Sequence, residues 1–304
     1  MKTKDKLLAC LIISFFSILT SCSNKDSKNI AISSVKTENK TASTTQAFQP
    51  NKKFNDYWYA GEAEISSYNL EQSRYGETRN GTAVLIYVTE PFLENKQVKA
   101  DNNNPTNINV LKLNRTKNFT TGIYPYSIMQ STFYPIANNQ HAIKVSCSIQ
   151  EWCGHVYTQL NNREQFEIDS HSYFENQADN NFKLDKNILE NELWTQLRID
   201  PKSLPTGKIN IIPSLEFIRL KHDPLKAYEV SATLDTGSYT LNYPSLKRKL
   251  TINFNPEFPY EILNWEENIN GDITKATRLK TIKSAYWSKK SKKDEVLRET
   301  LLLQ

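Results

Sequence analysis

From Asn55 to Trp287 the chain is a succession of short β-favouring runs broken by turn residues, with little helical periodicity, which commits it to antiparallel sheet. Expected strands are Trp58–Arg74, Thr82–Thr89, Asn109–Asn118, Ile123–Tyr134, Ala142–Ser148, Gly154–Leu160 and Gln165–Phe174. After a break they resume at Lys208–Lys221, Ala227–Leu234, Lys247–Phe254, Tyr260–Trp265 and Thr274–Trp287. Asn80-Gly81 is the clearest hairpin-turn signal, and Glu90–Asn107, with Pro91, Pro105 and an asparagine run, is expected to be a long loop. One helix interrupts the series: Asp185 can cap it, and Ile188, Leu189, Leu193, Trp194 and Leu197 recur at helical spacing until Pro201, predicting one face laid on a sheet. Asp294–Leu303 closes the chain as a short helical tail. No repeat of fixed period is present, and 38% hydrophobic residues with 11% aromatics suffice for a packed core. The expected fold is therefore mainly β: a strongly curved antiparallel sheet or half-open β-barrel with one packed helix and a short C-terminal helix. It occupies residues 54–304, as one body or as two halves meeting near 175–207.

The N-terminus carries a different message. Lys2, Lys4 and Lys6 precede the apolar run Leu7–Leu19, which has the length of an export signal and is too short for a permanent membrane span. Leu19-Thr20-Ser21-Cys22 then resembles a lipobox. Residues 1–21 read as a lipoprotein signal peptide, and Cys22 as the lipidated N-terminus, palmitate among its acyl chains. Residues 22–53, rich in Ser, Thr, Lys and Asn, read as a flexible tether reaching on the order of 30 Å. Ser23 in place of Asp resembles lipoproteins passed to an outer membrane, so the expected location is the cell envelope, held at the outer membrane by lipid. The formal net charge of +5 points to no nucleic-acid partner.

Several residue sets bear on chemistry. Cys147 and Cys153 would lie in an oxidising compartment, and a hairpin turning near Gln150-Glu151 would bring them together as a disulfide; alternatives are a zinc site with His155 and His141, or a thiolate paired with His155. Asp235-Thr236-Gly237-Ser238 resembles the aspartic-protease loop, but a second carboxylate is required and the same tetrapeptide is ordinary hairpin-turn chemistry. Asp169-Ser170-His171-Ser172 has triad residue types on one strand, where a triad cannot assemble from neighbours. Glu62 and Glu64 read as a solvated pair, and Lys289–Lys293 as a solvated basic cap. Tyr57, Trp58, Tyr59, Trp152, Tyr157, Trp265, Tyr286 and Trp287 read mainly as core, some of them as a glycan-stacking platform. Eight glycines and no Gly-x-Ser-x-Gly elbow leave little room for nucleotide or esterase motifs. No cofactor or metal is expected.

The stretch Tyr57–Asp101 (YWYAGEAEISSYNLEQSRYGE through LIYVTEPFLENKQVKAD) and QEWCGHVYTQLN at Gln150–Asn161 resemble an uncharacterised family of bacterial lipoproteins. Some members carry the label "septum formation inhibitor Maf". True Maf proteins are cytoplasmic pyrophosphatases with a Pro-Arg-Arg signature that has no counterpart here, and the resemblance implies no catalytic residue. The expected role is a non-enzymatic, lipid-anchored binding or structural protein of the envelope. Its partners would be the membrane through the lipid and an envelope protein, glycan or lipid ligand. The alternative is an envelope hydrolase using Asp235 or Cys153/His155.

Overall fold

A computed structural model describes residues 47–303. Cys22, the lipobox and most of the expected tether lie outside the described residues. The described residues form one compact unit.

The unit is mostly β. After a short helix α1 (Lys52–Trp58) come β1 (Ala63–Arg74), β2 (Glu77–Leu93), β3 (Val98–Lys99), β4 (Ile108–Thr121), β5 (Tyr124–Pro135), β6 (Lys144–Glu151), β7 (Gly154–Asn162), β8 (Phe166–Ser172), β9 (Asn180–Leu184) and β10 (Ile188–Leu189). The chain continues through α2 (Glu190–Ile199), β11 (Gly207–Ile212), α3 (Leu215–Lys221), β12 (Tyr228–Asp235), β13 (Ser238–Tyr243), β14 (Arg248–Phe254), β15 (Ile262–Ile269), β16 (Asp272–Ser284) and α4 (Val296–Thr300). All strands join one sheet in the order β10 to β16, then β1, β2, and β4 to β9, with β3 on β2. The ladder is a meander except at the parallel pair β10–β11 and where β1 zips onto β16, from Ala63 opposite Ser284 to Glu71 opposite Lys275. The sheet does not close. Its free edges, β9 and β10, are nevertheless linked by residues 185–187 alone, which holds Leu184 and Ile188 within about 14 Å of each other.

Alternation explains the curvature. In β5, Tyr126, Ile128, Gln130, Thr132 and Tyr134 are buried while their neighbours are more exposed, so one face of the strand turns inward. Helix α2 fills the inside. It crosses between the parallel pair β10 and β11, as parallel strands require a crossover. Leu193, Trp194 and Leu197 are fully buried, Trp194 meets Trp265 edge-on at 5.3 Å, and Tyr87 donates to the Trp194 carbonyl at 3.1 Å. Each such aromatic burial contributes about 1.5–3 kcal/mol.

Several expectations change. The helix is enclosed on all sides instead of lying on one face. It begins at Glu190, with the Leu189 amide donating to Glu192 Oε1 at 3.1 Å, while Asp185 accepts from Gln165. The first hairpin turns at Tyr75-Gly76, and Asn80-Gly81 lies inside β2. Gly81 is there for close approach: a Cβ would stand 2.2 Å from the Asn118 carbonyl oxygen of β4. Strand β2 also runs through Pro91 into the expected loop. Lys208–Lys221 divides into β11 and α3, because Pro213 ends the strand and Ser214 Oγ accepts from the Phe217 amide at 3.2 Å. Among the described residues no helix is long and apolar enough to cross a membrane.

Candidate functional site

The enclosed helix brings Glu190, Glu192 and Arg198 into the interior and α3 brings Glu216, and each meets a partner on a strand or, for Glu192, on the β5–β6 loop. Arg198 donates through both Nη atoms to Glu64 of β1 at 2.6 Å, and its guanidinium lies 4.6 Å from the Tyr87 ring. Glu190 accepts from Arg248 of β14 and from the Tyr243 hydroxyl; Arg248 Nε reaches Glu267 at 2.6 Å. Glu216 of α3 accepts from Lys117 at 2.7 Å, Gln130 at 2.7 Å and Arg115 at 3.2 Å. Burial alone would raise all three carboxyls, but Arg198 for Glu64, Arg248 for Glu190, and Lys117 with Arg115 for Glu216 hold them below the usual range. Glu64 is thus a buried ionic partner and not the solvated residue its spacing to Glu62 suggests.

Between these groups remains a cavity of about 60 Å³, walled by Arg115, Lys117, Glu190, Trp194, Glu216 and Arg248. Ligand pockets run to several hundred Å³, so this space suits a few waters rather than a ligand. Trp194 Nε1, buried and without a protein partner, lies on that wall. On the outer face of the sheet, an open groove of about 380 Å³ is lined by Ile65, Val84, Ile86 and Ile282, with the chain's own Leu301 and Leu303 beside it.

The residues singled out for chemistry do not assemble. Cys147 and Cys153 are both free thiols. Strand β6 continues to Glu151, so the turn falls at Trp152-Cys153, not at Gln150-Glu151, and Cys147 faces Thr158. Cys147 is buried and points inward, roughly 13 Å down the strand from the turn. Burial holds its thiol protonated far above neutrality. Cys153 is exposed, and Glu151, whose carboxylate also accepts the Cys153 amide, pushes its thiol up, the opposite of nucleophile activation. His155 is exposed opposite Gln150, and His141, on the β5–β6 loop, pairs with Glu192 at 2.8 Å. Asp235 is exposed on the β12–β13 turn, where it faces Ser238 and Gly237 supplies a φ of 81°. His171 meets Asp179 at 3.4 Å with both side chains in solvent. Among the described residues no group of three or more His, Cys, Asp or Glu side chains could hold a metal ion.

The most distinctive surface is one end of the sheet. Antiparallel connection puts the turns after β1, β4, β6 and β8 on that end. Each turn exposes a large apolar side chain: Tyr75 (60% exposed), Ile123 (81%), Trp152 (68%) and Tyr173 (74%). Tyr173 is seated on Gly154, where a Cβ would stand 2.7 Å from its ring. Rings continue inward from the tips, with Trp152 6.4 Å from Tyr124, Tyr124 5.9 Å from Tyr126, and the Tyr126 and Tyr75 hydroxyls bonded at 2.9 Å. Arg74 and Arg219 lie beneath. The described chain enters at the opposite end, where the Phe48 amide donates to Ala137. Of these tip residues only Trp152 carried a sequence signal, as a member of the aromatic set; the arginines carried none.

No protein-family model matches the chain, and no curated protein does. Among solved structures it is similar to a beta-barrel-like protein of a domain of unknown function, DUF1849, from Brucella abortus. The TM-score is 0.43 at 7% identity, over 73% of this chain and 97% of that one.

Proposed function

We propose that this is a non-catalytic binding protein of the cell envelope, held to a membrane by a lipid on Cys22, that engages its partner with the hairpin-tip end of the sheet. The observation that carries the binding reading is the contrast between the two parts of the sheet. Its interior is filled by α2 and crossed by ion pairs that leave a cavity of only about 60 Å³, reaching out toward Arg74 and Tyr75, while its tips hold four large apolar side chains in solvent. A surface of that kind recognises; it does not enclose a reacting molecule. The hydrolase alternative would require Asp235 to find a second carboxylate, or Cys153 a base that lowers its pKa, and neither arrangement is formed. The lipid anchor is supported by the lipobox and by the likeness to uncharacterised lipoproteins.

Crosslinking and pull-down from intact membranes, with mass analysis of the Cys22 peptide, tests this reading. The expected result is an acylated Cys22 and a captured envelope component whose capture needs the tip residues. An unmodified Cys22 in the membrane fraction would remove the anchor, and capture indifferent to the tips would remove the binding surface.

A further inference from the structure

The tip end holds two arginines in an unusual state, and their role is inferred on the premise that this end is the binding surface. Arg74, the last residue of β1, donates Nη1 to the Leu220 carbonyl at 2.8 Å and Nη2 to the hydroxyls of Tyr75 and Tyr126 at 3.2 and 3.3 Å. Its guanidinium lies 4.3 Å from the Tyr75 ring centroid. Arg219, in the last turn of α3, stacks 4.5 Å from Phe174 and donates Nη1 to His222 Nε2 at 3.4 Å. Every one of these partners is neutral: burial, then Arg219 and Arg74, hold the His222 imidazole below its usual range.

Among the described residues no carboxylate lies within 4.0 Å of either guanidinium, and the Nε of each is buried without an acceptor. Glu151 acts on Arg219 only from farther away. Two like charges near each other, partly dehydrated and with Glu151 only as a more distant counter-charge, favour an oxyanion that accepts from their remaining Nη N–H groups. The rings beside them specify what the anion is attached to. A sugar offers C–H faces with the slight positive character that the negative face of an aromatic ring attracts, and Tyr75 and Trp152 present exposed rings on the β1–β2 and β6–β7 turns, with the β4–β5 turn and its Tyr124 between them. A bilayer of anionic lipid offers these rings no sugar face to stack on.

We infer that Arg74 and Arg219 together receive the carboxylate or phosphate of an acidic polysaccharide whose sugar rings lie across Tyr75 and Trp152.

The test is titration calorimetry of the full-length protein in detergent with polygalacturonate, phosphorylated dextran and neutral dextran. Vesicle flotation with phosphatidylethanolamine and phosphatidylglycerol is the parallel arm, using acyl-free protein so that the anchor plays no part. The expected result is binding to at least one charged polysaccharide and none to neutral dextran, weakened about tenfold or more in R74Q/R219Q. Trp152→Ala, an exposed turn substitution that spares the arginines, is expected to weaken binding as well. Which charged probe binds tells carboxylate from phosphate. Binding to neither, equal binding by R74Q/R219Q with its melting curve intact, or flotation with the vesicles without polysaccharide binding would overturn the inference. If R74Q/R219Q still captures an envelope protein from membranes, the inference falls while the broader binding reading stands.

Discussion

Arg198 of the enclosed helix and Glu64 of the first strand form a bidentate ion pair with both side chains 1% exposed. Taking two charges out of water costs several kcal/mol per ion, so the pair is a device for placing α2 rather than a large source of stability. Breaking one side leaves a buried charge unmatched. Glu64→Ala and Arg198→Ala are each expected to destabilise by about 3–5 kcal/mol, and Glu64→Gln with Arg198→Met by less than either, as read from urea unfolding. If the double replacement costs the sum of the singles, the pairing account is wrong.

Stability should fall at acid pH. The folded-state pKa values of Glu64, Glu190 and Glu216 are depressed by their cationic partners. Their contribution is therefore complete above the unfolded glutamate value of about 4.3 and is lost as pH falls through the lower folded values. Thermal melts should be insensitive to these groups near neutrality and drop steeply below about pH 4, with little effect of added salt near neutrality, since the pairs are dry. A flat melting temperature down to pH 2–3 would contradict this.

Thiol mapping separates the two cysteines. In native protein without reductant, a maleimide should label Cys153 and spare Cys147, which is buried with its thiol held protonated. After denaturation both should label. A peptide pair joined through Cys147 and Cys153 would refute the geometry of the β6–β7 turn.

Gly81→Ala should be costly for a strand position on which no turn depends. The added methyl meets the Asn118 carbonyl at 2.2 Å, so β2 and β4 must separate, at about 1–3 kcal/mol or more. Chemical denaturation measures it, with Gly271→Ala, where nothing lies within 4 Å but φ is +98°, as a comparison limited to backbone strain.

The architecture was legible because its cause is local. Alternation and turn residues are properties of short windows, and they sufficed for a curved antiparallel sheet with an interrupting helix. Asn80-Gly81 misled for a physical reason: a glycine needed where another strand comes close looks, in sequence, like one needed for a turn. The enclosure of α2 was hidden because Glu190, Asn191, Glu192 and Arg198 look like a solvated face. Their partners are remote, with Glu64 134 residues from Arg198 and Arg248 58 from Glu190. The tip end was equally illegible, since Arg74 and Arg219 meet only once β1 and α3 are in place. Cys22 and most of the tether fall outside the described residues: the anchor rests on the lipobox and the lipoprotein resemblance, and the tether on its composition.

Whether the hairpin tips are the working surface is tested most directly by site-specific photo-crosslinking in intact cells. A photoreactive residue is placed at Trp152 or Tyr173 and, as the control, at Asp235, an exposed turn at the other end of the meander. A discrete crosslinked product is expected from the two tip positions and none from Asp235. The same product from all three, or a product from Asp235 alone, would contradict a working surface at the tips.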